Sequence, residues 1–414
     1  MIHQKNTLRV NEKRLWDTLL RSAEIGRVKS GALQRLALSD ADRDMRDQFV
    51  TWCRESGCTV KIDQAGNIFS RIQGREDLPA VVIGSHLDTQ VDGGRFDGIL
   101  GVLSGLEVVR TLQEHDITPK RPIEVVDWTN EEGARFPPPF AGSLVFSGER
   151  SIDWLYSLED DDHLTFGDEL RRIGYVGDTP IGNSPFDSYF ELHIEQGPIL
   201  YEAGIPVGVV VGGYAAKGMN VIFRGQTGHV GPTPMNRRHN ALVGAAKYLT
   251  AVNDIGWRFA PIGKATASRV RVWPNKNGII PSYTEVTVDM RHQDPEQTDQ
   301  MHLANLQALE RCAKEAFVEF ELQAEWNFGG DIRFDSQCIT NIRNAAIALD
   351  VPTMDIYSQA GHDAYVISYS TPTAMIFTPC VDGISHNRAE NIIPEQTWPS
   401  INVLLHAVLA RAER

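Results

Sequence analysis

The run Ala80-Val81-Val82-Ile83, bounded by Pro79 and Gly84, is apolar at every position and leads straight into Ser85-His86-Leu87-Asp88. A strand with one wet face alternates apolar and polar residues. A strand apolar throughout is buried on both faces, as happens in sheets covered by helices. This one feature commits the chain to an α/β domain and puts polar residues at the end of a buried strand. A helix over Ile99 to Leu112 follows, with Ile99, Val102, Leu103, Leu106 and Val109 on one face. Further strands are predicted at Pro122 to Trp128, Tyr189 to Glu195 and Thr373 to Phe377. Upstream, residues 11–57 read as helical, with Asp40 as a cap for Ala41 to Glu55 and Gly57 as the stop.

Around residues 205–330 the pattern changes. Gly218 to Gly225 and Glu285 to Arg291 alternate like half-exposed antiparallel strands. Val286, Val288 and Met290 face one way, Thr287, Asp289 and Arg291 the other. Helical stretches near 239–253 and 295–318 complete an α+β unit. The expected organisation is a discontinuous catalytic α/β domain, 1–212 and 330–414, with a mixed sheet flanked by helices. A smaller α+β domain at 213–329 interrupts it. Residues 150–185 are rich in Gly, Pro and acids, and Glu159 to Asp162 reads as a solvated face.

Forty basic and 54 acidic side chains give a net charge of −14. That argues against a nucleic-acid or anionic-membrane binder. No segment approaches the ~20 apolar residues of a membrane span. The first residues are charged and lack an apolar signal core. Cys53, Cys58, Cys312, Cys338 and Cys380 are scattered and odd in number, so they read as reduced. A cytoplasmic protein is expected.

Potential metal ligands recur directly after the predicted strands. His86 and Asp88 follow the first. Gly93-Gly94-Arg95-Phe96-Asp97-Gly98 opens the helix at 99. Asn130-Glu131-Glu132-Gly133 follows the second strand, His193-Ile194-Glu195-Gln196-Gly197 ends the third, and Gly383-Ile384-Ser385-His386-Asn387 follows the last. Taken singly these are a surface histidine, an acidic pair and a turn. Taken together, in one order, they put imidazoles and carboxylates at the carboxyl ends of strands, where open α/β sheets bind ligands. Mixed nitrogen and oxygen donors suit zinc, with manganese or cobalt as substitutes. There is no Gly-x-Ser-x-Gly elbow for a serine hydrolase. The Gly-rich run Val209 to Gly218 lacks both nucleotide-loop patterns and reads as a hinge.

The stretches GSHLDTQVDGGRFDGILGVLSGLEVVRTL, WTNEEGARF, ELHIEQGPIL, GHVGPTPM, VDMRH, AGHDA and GISHNRAE run from residue 84 to 390. In these stretches the sequence resembles the amidase/carbamoylase branch of the M20 di-zinc aminoacylase and carboxypeptidase family. That branch holds N-carbamoyl-L-amino acid hydrolases, β-ureidopropionase and allantoate amidohydrolases. The resemblance implies two divalent metal ions per subunit bridged by Asp97, one joined by His86 and His193, the other by Glu132 and His386. Asp88 would orient the His86 imidazole. Glu131 would be the general base, taking a proton from a water that metal coordination acidifies from pKa ~15.7 to about 7. His229 would reach the neighbouring active site of a homodimer and stabilise the oxyanion. Arg291 would grip a substrate carboxylate, Gln196 would contact the carbamoyl end, and Gly361 and His362 would line the pocket.

Many relatives carry Asn-Val-Ile-Pro-Gly, whose Asn touches substrate, where this chain has Asn277-Gly278-Ile279-Ile280-Pro281-Ser282; Asn277 stands one residue early and would make that substrate contact through a shifted loop. Gln359 and Pro137-Pro138-Pro139-Phe140 also depart from the pattern near the pocket. The expected reaction is hydrolysis of an N-carbamoyl amino acid, of the L-α or β-alanine type, to the amino acid, carbon dioxide and ammonia. An allantoate amidohydrolase, an N-acyl deacylase or peptidase, and an inactive ligand-binding relative are the alternatives. The small insert would dimerise and close over the site.

Overall fold

The computed structural model describes residues 8–182, 185–330 and 332–414. Its strands are β1 (Thr59–Ile62), β2 (Ile68–Ile72), β3 (Ala80–Ser85), β4 (Ile123–Asp127), β5 (Phe186–Ile194), β6 (Val207–Gly213), β7 (Ala215–Arg224), β8 (Lys264–Trp273), β9 (Tyr283–His292), β10 (Glu319–Phe328), β11 (Thr353–Ser358) and β12 (Thr373–Thr378). The chain divides into two compact units, Met1–Gly212 with Arg333–Arg414, and Gly213–Ile332.

The first unit is built on a mixed sheet in the order β1-β2-β4-β3-β5-β12-β6-β11. Its centre, β4-β3-β5-β12, is parallel, while β2 runs antiparallel to β1 and β4, and β6 antiparallel to β12. Every residue of β3, β4 and β12 is buried, as the uninterrupted apolar run requires. Helices Ile99–Glu114 and Pro394–Ala412 pack on this central region. Parallel strands end on one edge, so the segments after β3, β4, β5 and β12 emerge together. All five cysteines are unpaired and buried.

Two local expectations are corrected. The stretch 11–57 is not one helical run but helices Glu12–Ser22 and Asp40–Glu55 with an irregular connection. Ser39, not Asp40, caps the second helix, its side chain accepting the Asp42 N–H. The buried Arg35 guanidinium holds the connection open by donating to the carbonyls of Ser22, Ile25 and Leu87. Helix Ile99–Glu114 buries its predicted face but also Ser104, Glu107 and Val108. Helix Glu12–Ser22 covers it, and Arg14 neutralises Glu107 at 2.6 Å.

The second unit is a four-stranded sheet in the order β10-β7-β9-β8, antiparallel throughout. Strand β9 alternates at every position. Val286, Val288 and Met290 are fully buried against Met219, Val221, Tyr248 and Leu309, so helices Ala241–Phe259 and Pro295–Ala316 cover that face. Among the described residues no helix is long and apolar enough to cross a membrane.

Candidate metal centre

Four central strands deliver the donors. His86 follows β3, Glu131 and Glu132 follow β4, His193 lies in β5, and His386 is in the segment after β12. Asp97 precedes helix Ile99–Glu114 and sits among them. Its Oδ1 is 3.1 Å from His193 Nε2 and 3.9 Å from His86 Nε2. Its Oδ2 is 3.3 Å from His386 Nε2, which is 3.5 Å from Glu132 Oε2. Two donor groups result, His86-Asp97-His193 and Asp97-Glu132-His386, each with ligand atoms within 4.8 Å of one another. Each oxygen of Asp97 faces one group.

The histidines are oriented for metal binding. His86 Nδ1 is 2.9 Å from the carbonyl of Asp88, and His193 Nδ1 is 2.9 Å from that of Ile194. A carbonyl only accepts, so each Nδ1 carries a proton, and Nε2 is the ring atom turned to the cluster. The charges agree. Burial pushes the Glu131 carboxyl well above its usual range, helped by Glu132 and Asp363. Burial and then Asp97 push Glu132 up to about 8. Burial also opposes ionisation of Asp97, but hydrogen bonds and charge from His193 and His386 outweigh it and hold Asp97 well below the carboxylate range. Crowded, buried carboxylates among correctly oriented imidazoles fit divalent cations.

Glu131 is buried, with Oε2 3.3 Å from His86 Nε2. Asn130, at φ 58°, makes the bend that presents it. The Asn130 side chain donates to the carbonyl of Phe136, and Phe140 N–H donates to that of Glu131. Asp88 works differently from the sequence expectation. Its carboxylate lies 3.8 Å from His86 Nδ1, and its own main-chain carbonyl holds the ring. The carboxylate instead accepts the N–H groups of Glu131 and Glu132 at 3.2 and 3.3 Å. It therefore fixes the acidic pair rather than the imidazole.

A buried ionic network lies beside this segment. Asp127, the last residue of β4, accepts Leu87 N–H. Arg46 is fully buried, 2.8 Å from Asp42 and 3.6 Å from Asp127. Removing Asp42 takes away the nearest carboxylate of the buried guanidinium. Asp42→Ala should lower unfolding free energy by about 3–5 kcal/mol. Urea unfolding with an unshifted midpoint would refute this.

The remaining expected residues divide. Gln196 is at the site. Its Nε2 donates to Asp97 Oδ2 at 3.0 Å, and its buried Oε1 has no hydrogen-bond partner among the described residues. His362 is buried and forms a further group of possible donors with Glu191 and His193. Its ring is buried 4.5 Å from that of His193, against Tyr365 and Phe377, and Gly361 leads into the short helix it begins. Its Nε2 is 3.1 Å from the Ser358 hydroxyl. His229, Asn277 and Arg291 belong to the second unit. There the segments of His229 and Ile279 form a β-bridge beside the exposed Asn277. Arg291 pairs with Asp289 at 2.8 Å on the face of β9 away from the core. Ser385 and Glu390, both contacting Asp97, went unnoticed in the sequence. The signal was there, since both lie in GISHNRAE with His386.

The profile of peptidase family M20/M25/M40 matches residues 82–410. The N-carbamoyl-L-amino-acid amidohydrolase of Rhizobium meliloti is 40% identical over 406 residues, covering 98% of this chain and 97% of that protein. Allantoate deiminase 1 of Glycine max is 30% identical over 430 residues, covering 92% and 86%. The crystal structure of an amidase of the hydantoinase/carbamoylase family from Burkholderia vietnamiensis matches at TM-score 0.94 and 44% identity, covering 99% of each chain. With 329 consecutive positions matched (410 − 82 + 1) and the fold shared end to end, this chain belongs to peptidase family M20/M25/M40.

Proposed function

We propose that the protein is an amidohydrolase that cleaves the C–N bond of an N-carbamoyl-L-amino acid. N-carbamoyl amino acid and water give the amino acid, carbon dioxide and ammonia. The observation that carries this reading is the placement of Asp97 between two donor groups with Glu131 beside one of them. The 40% identity to a carbamoyl-amino-acid amidohydrolase along nearly the whole chain supports the substrate class.

His86, Asp97 and His193 would hold one divalent cation, zinc by donor type, with manganese or cobalt as substitutes. Asp97, Glu132 and His386 would hold the other. Such cations supply Lewis acidity, lowering the pKa of water toward neutrality and polarising a carbonyl. Glu131 takes the proton of the attacking water on its carboxylate and returns it to the leaving nitrogen. Asp88 keeps Glu131 in place through its main-chain N–H. Gln196, whose Oε1 lacks a partner among the described residues, hydrogen-bonds the carbamoyl end.

Chemistry alone suggests the second unit's part. Arg291 grips the substrate carboxylate with its planar fork. His229 serves the other subunit of a homodimer. The unpaired cysteines suit a cytoplasmic setting. Arg291→Ala should raise KM by about 10- to 100-fold, the roughly 1.5–3 kcal/mol of a charged hydrogen bond, with kcat less affected. An unchanged KM would move the carboxylate anchor elsewhere.

The test is release of ammonia and free amine by purified protein reloaded with zinc, manganese or cobalt. The panel holds N-carbamoyl-L-α-amino acids, N-carbamoyl-β-alanine, allantoate, and N-acetyl and N-formyl amino acids. Metal-dependent ammonia matched by amine from a carbamoyl-L-amino acid is the expected result. Amine without ammonia, from an acyl substrate, would make the protein a deacylase.

A further inference from the structure

Glu390 belongs to neither donor group, yet it is as deeply buried as His86 and His193, at 1% exposure. Its Oε1 accepts two successive main-chain N–H groups, Phe96 at 2.9 Å and Asp97 at 3.0 Å. Its Oε2 is 3.2 Å from the hydroxyl of Ser385, and the same hydroxyl is 3.1 Å from Asp97 Oδ2. One carboxylate thus holds the main chain at Asp97 and, through Ser385, adjoins its side chain.

The neighbouring glycines show how tightly this contact is drawn. A Cβ at Gly94 would fall 2.1–2.4 Å from the carboxylate atoms of Glu390. A Cβ at Gly98, where φ is 69°, would fall 2.3–2.4 Å from the His86 ring. The Gly-Gly-x-x-Asp-Gly segment is therefore pressed between Glu390 on one side and a histidine donor on the other. Each close approach tolerates only glycine. The Asp97 segment is thereby joined to the segment of His386, four residues before Glu390 in sequence. A second tie, Arg95 to the Asn391 side chain at 3.0 Å, runs alongside and does not touch Glu390.

We propose that Glu390 is a positioning residue: by clamping the Gly93–Gly98 segment to the segment of His386, it sets the two oxygens of Asp97 between the two donor groups. The inference rests on the metal-centre reading given above. Removal of an outer partner of this kind costs a metal site about 10–100-fold in affinity.

The test is metal binding, not turnover. Metal-stripped protein is titrated with cobalt, followed by the visible absorption of the bound ion, and with zinc against a competing chelator. Glu390→Ala should bind about 10–100-fold more weakly and shift the cobalt spectrum. Glu390→Gln, whose amide oxygen can still accept both N–H groups, should keep most of the affinity. Gly94→Ala drives a methyl into the carboxylate and should reproduce the loss, and it decides the matter if Glu390→Ala is insoluble. Asn391→Ala should leave binding unchanged. Wild-type affinity and spectrum in Glu390→Ala and Gly94→Ala overturn the proposal, whatever their melting temperatures. If the wild-type protein takes up no metal, the metal-centre reading falls first and this inference with it.

Discussion

Glu131→Gln lowers kcat by about 10²–10⁴-fold, the usual contribution of a positioned general base, while metal content and KM stay near wild type. Glutamine fills the same volume and keeps the main-chain bonds to Asp88 and Phe140. It cannot take up a proton. The carboxylate it replaces is buried and crowded by Glu132, Asp363 and Asp88, so its hold on a proton is stronger than that of an exposed glutamate. This suits a group that must carry a proton from water to a leaving nitrogen. Steady-state kinetics with metal analysis of the same preparation decide it. A variant within tenfold of wild type would place the base elsewhere. A variant that loses metal would make Glu131 a ligand, an arrangement the His86-Glu131-Glu132 grouping permits.

The second large effect is expected at Asp97. Asp97→Ala removes the group shared by both donor sets. Lewis acidity is worth several kcal/mol of transition-state stabilisation. At about 4 kcal/mol, kcat/KM falls roughly 10³-fold. Chelation of the wild-type enzyme should produce the same loss. Returned zinc, manganese or cobalt should restore the wild type and leave the variant inactive. A variant that recovers on metal addition would show that the two groups do not depend on Asp97.

Residue type and spacing reveal what is carried by side chains on regular elements. The run from Ala80 to Ile83 announced a doubly covered strand, and the alternation of Val286, Val288 and Met290 announced a half-exposed one. Four of the five candidate ligands were legible because each follows or ends a strand, and Asp97 because it opens the helix after one. Contacts made through the main chain were not. His86 is held by a carbonyl, which every residue possesses, so Asp88 drew the credit for its carboxylate. Glu390 binds two N–H groups of a segment nearly three hundred residues earlier, and no local pattern encodes that. The burial of Glu107 on helix Ile99–Glu114 is matched by Arg14, 93 residues earlier in sequence.

The place of β12 in the sheet has a consequence for how the protein is made. It lies between β5 and β6, parallel to one and antiparallel to the other. Both neighbours leave the ribosome long before it, with the whole second unit still to be synthesised in between. A nascent chain therefore exposes two unpaired strand borders at the middle of its future sheet, the kind of edge that recruits other chains. His193, at the end of β5, waits on that border until the last strand threads in and brings His386 behind it. A chain stopped short of Thr373 should therefore demand chaperones rather than merely lack activity.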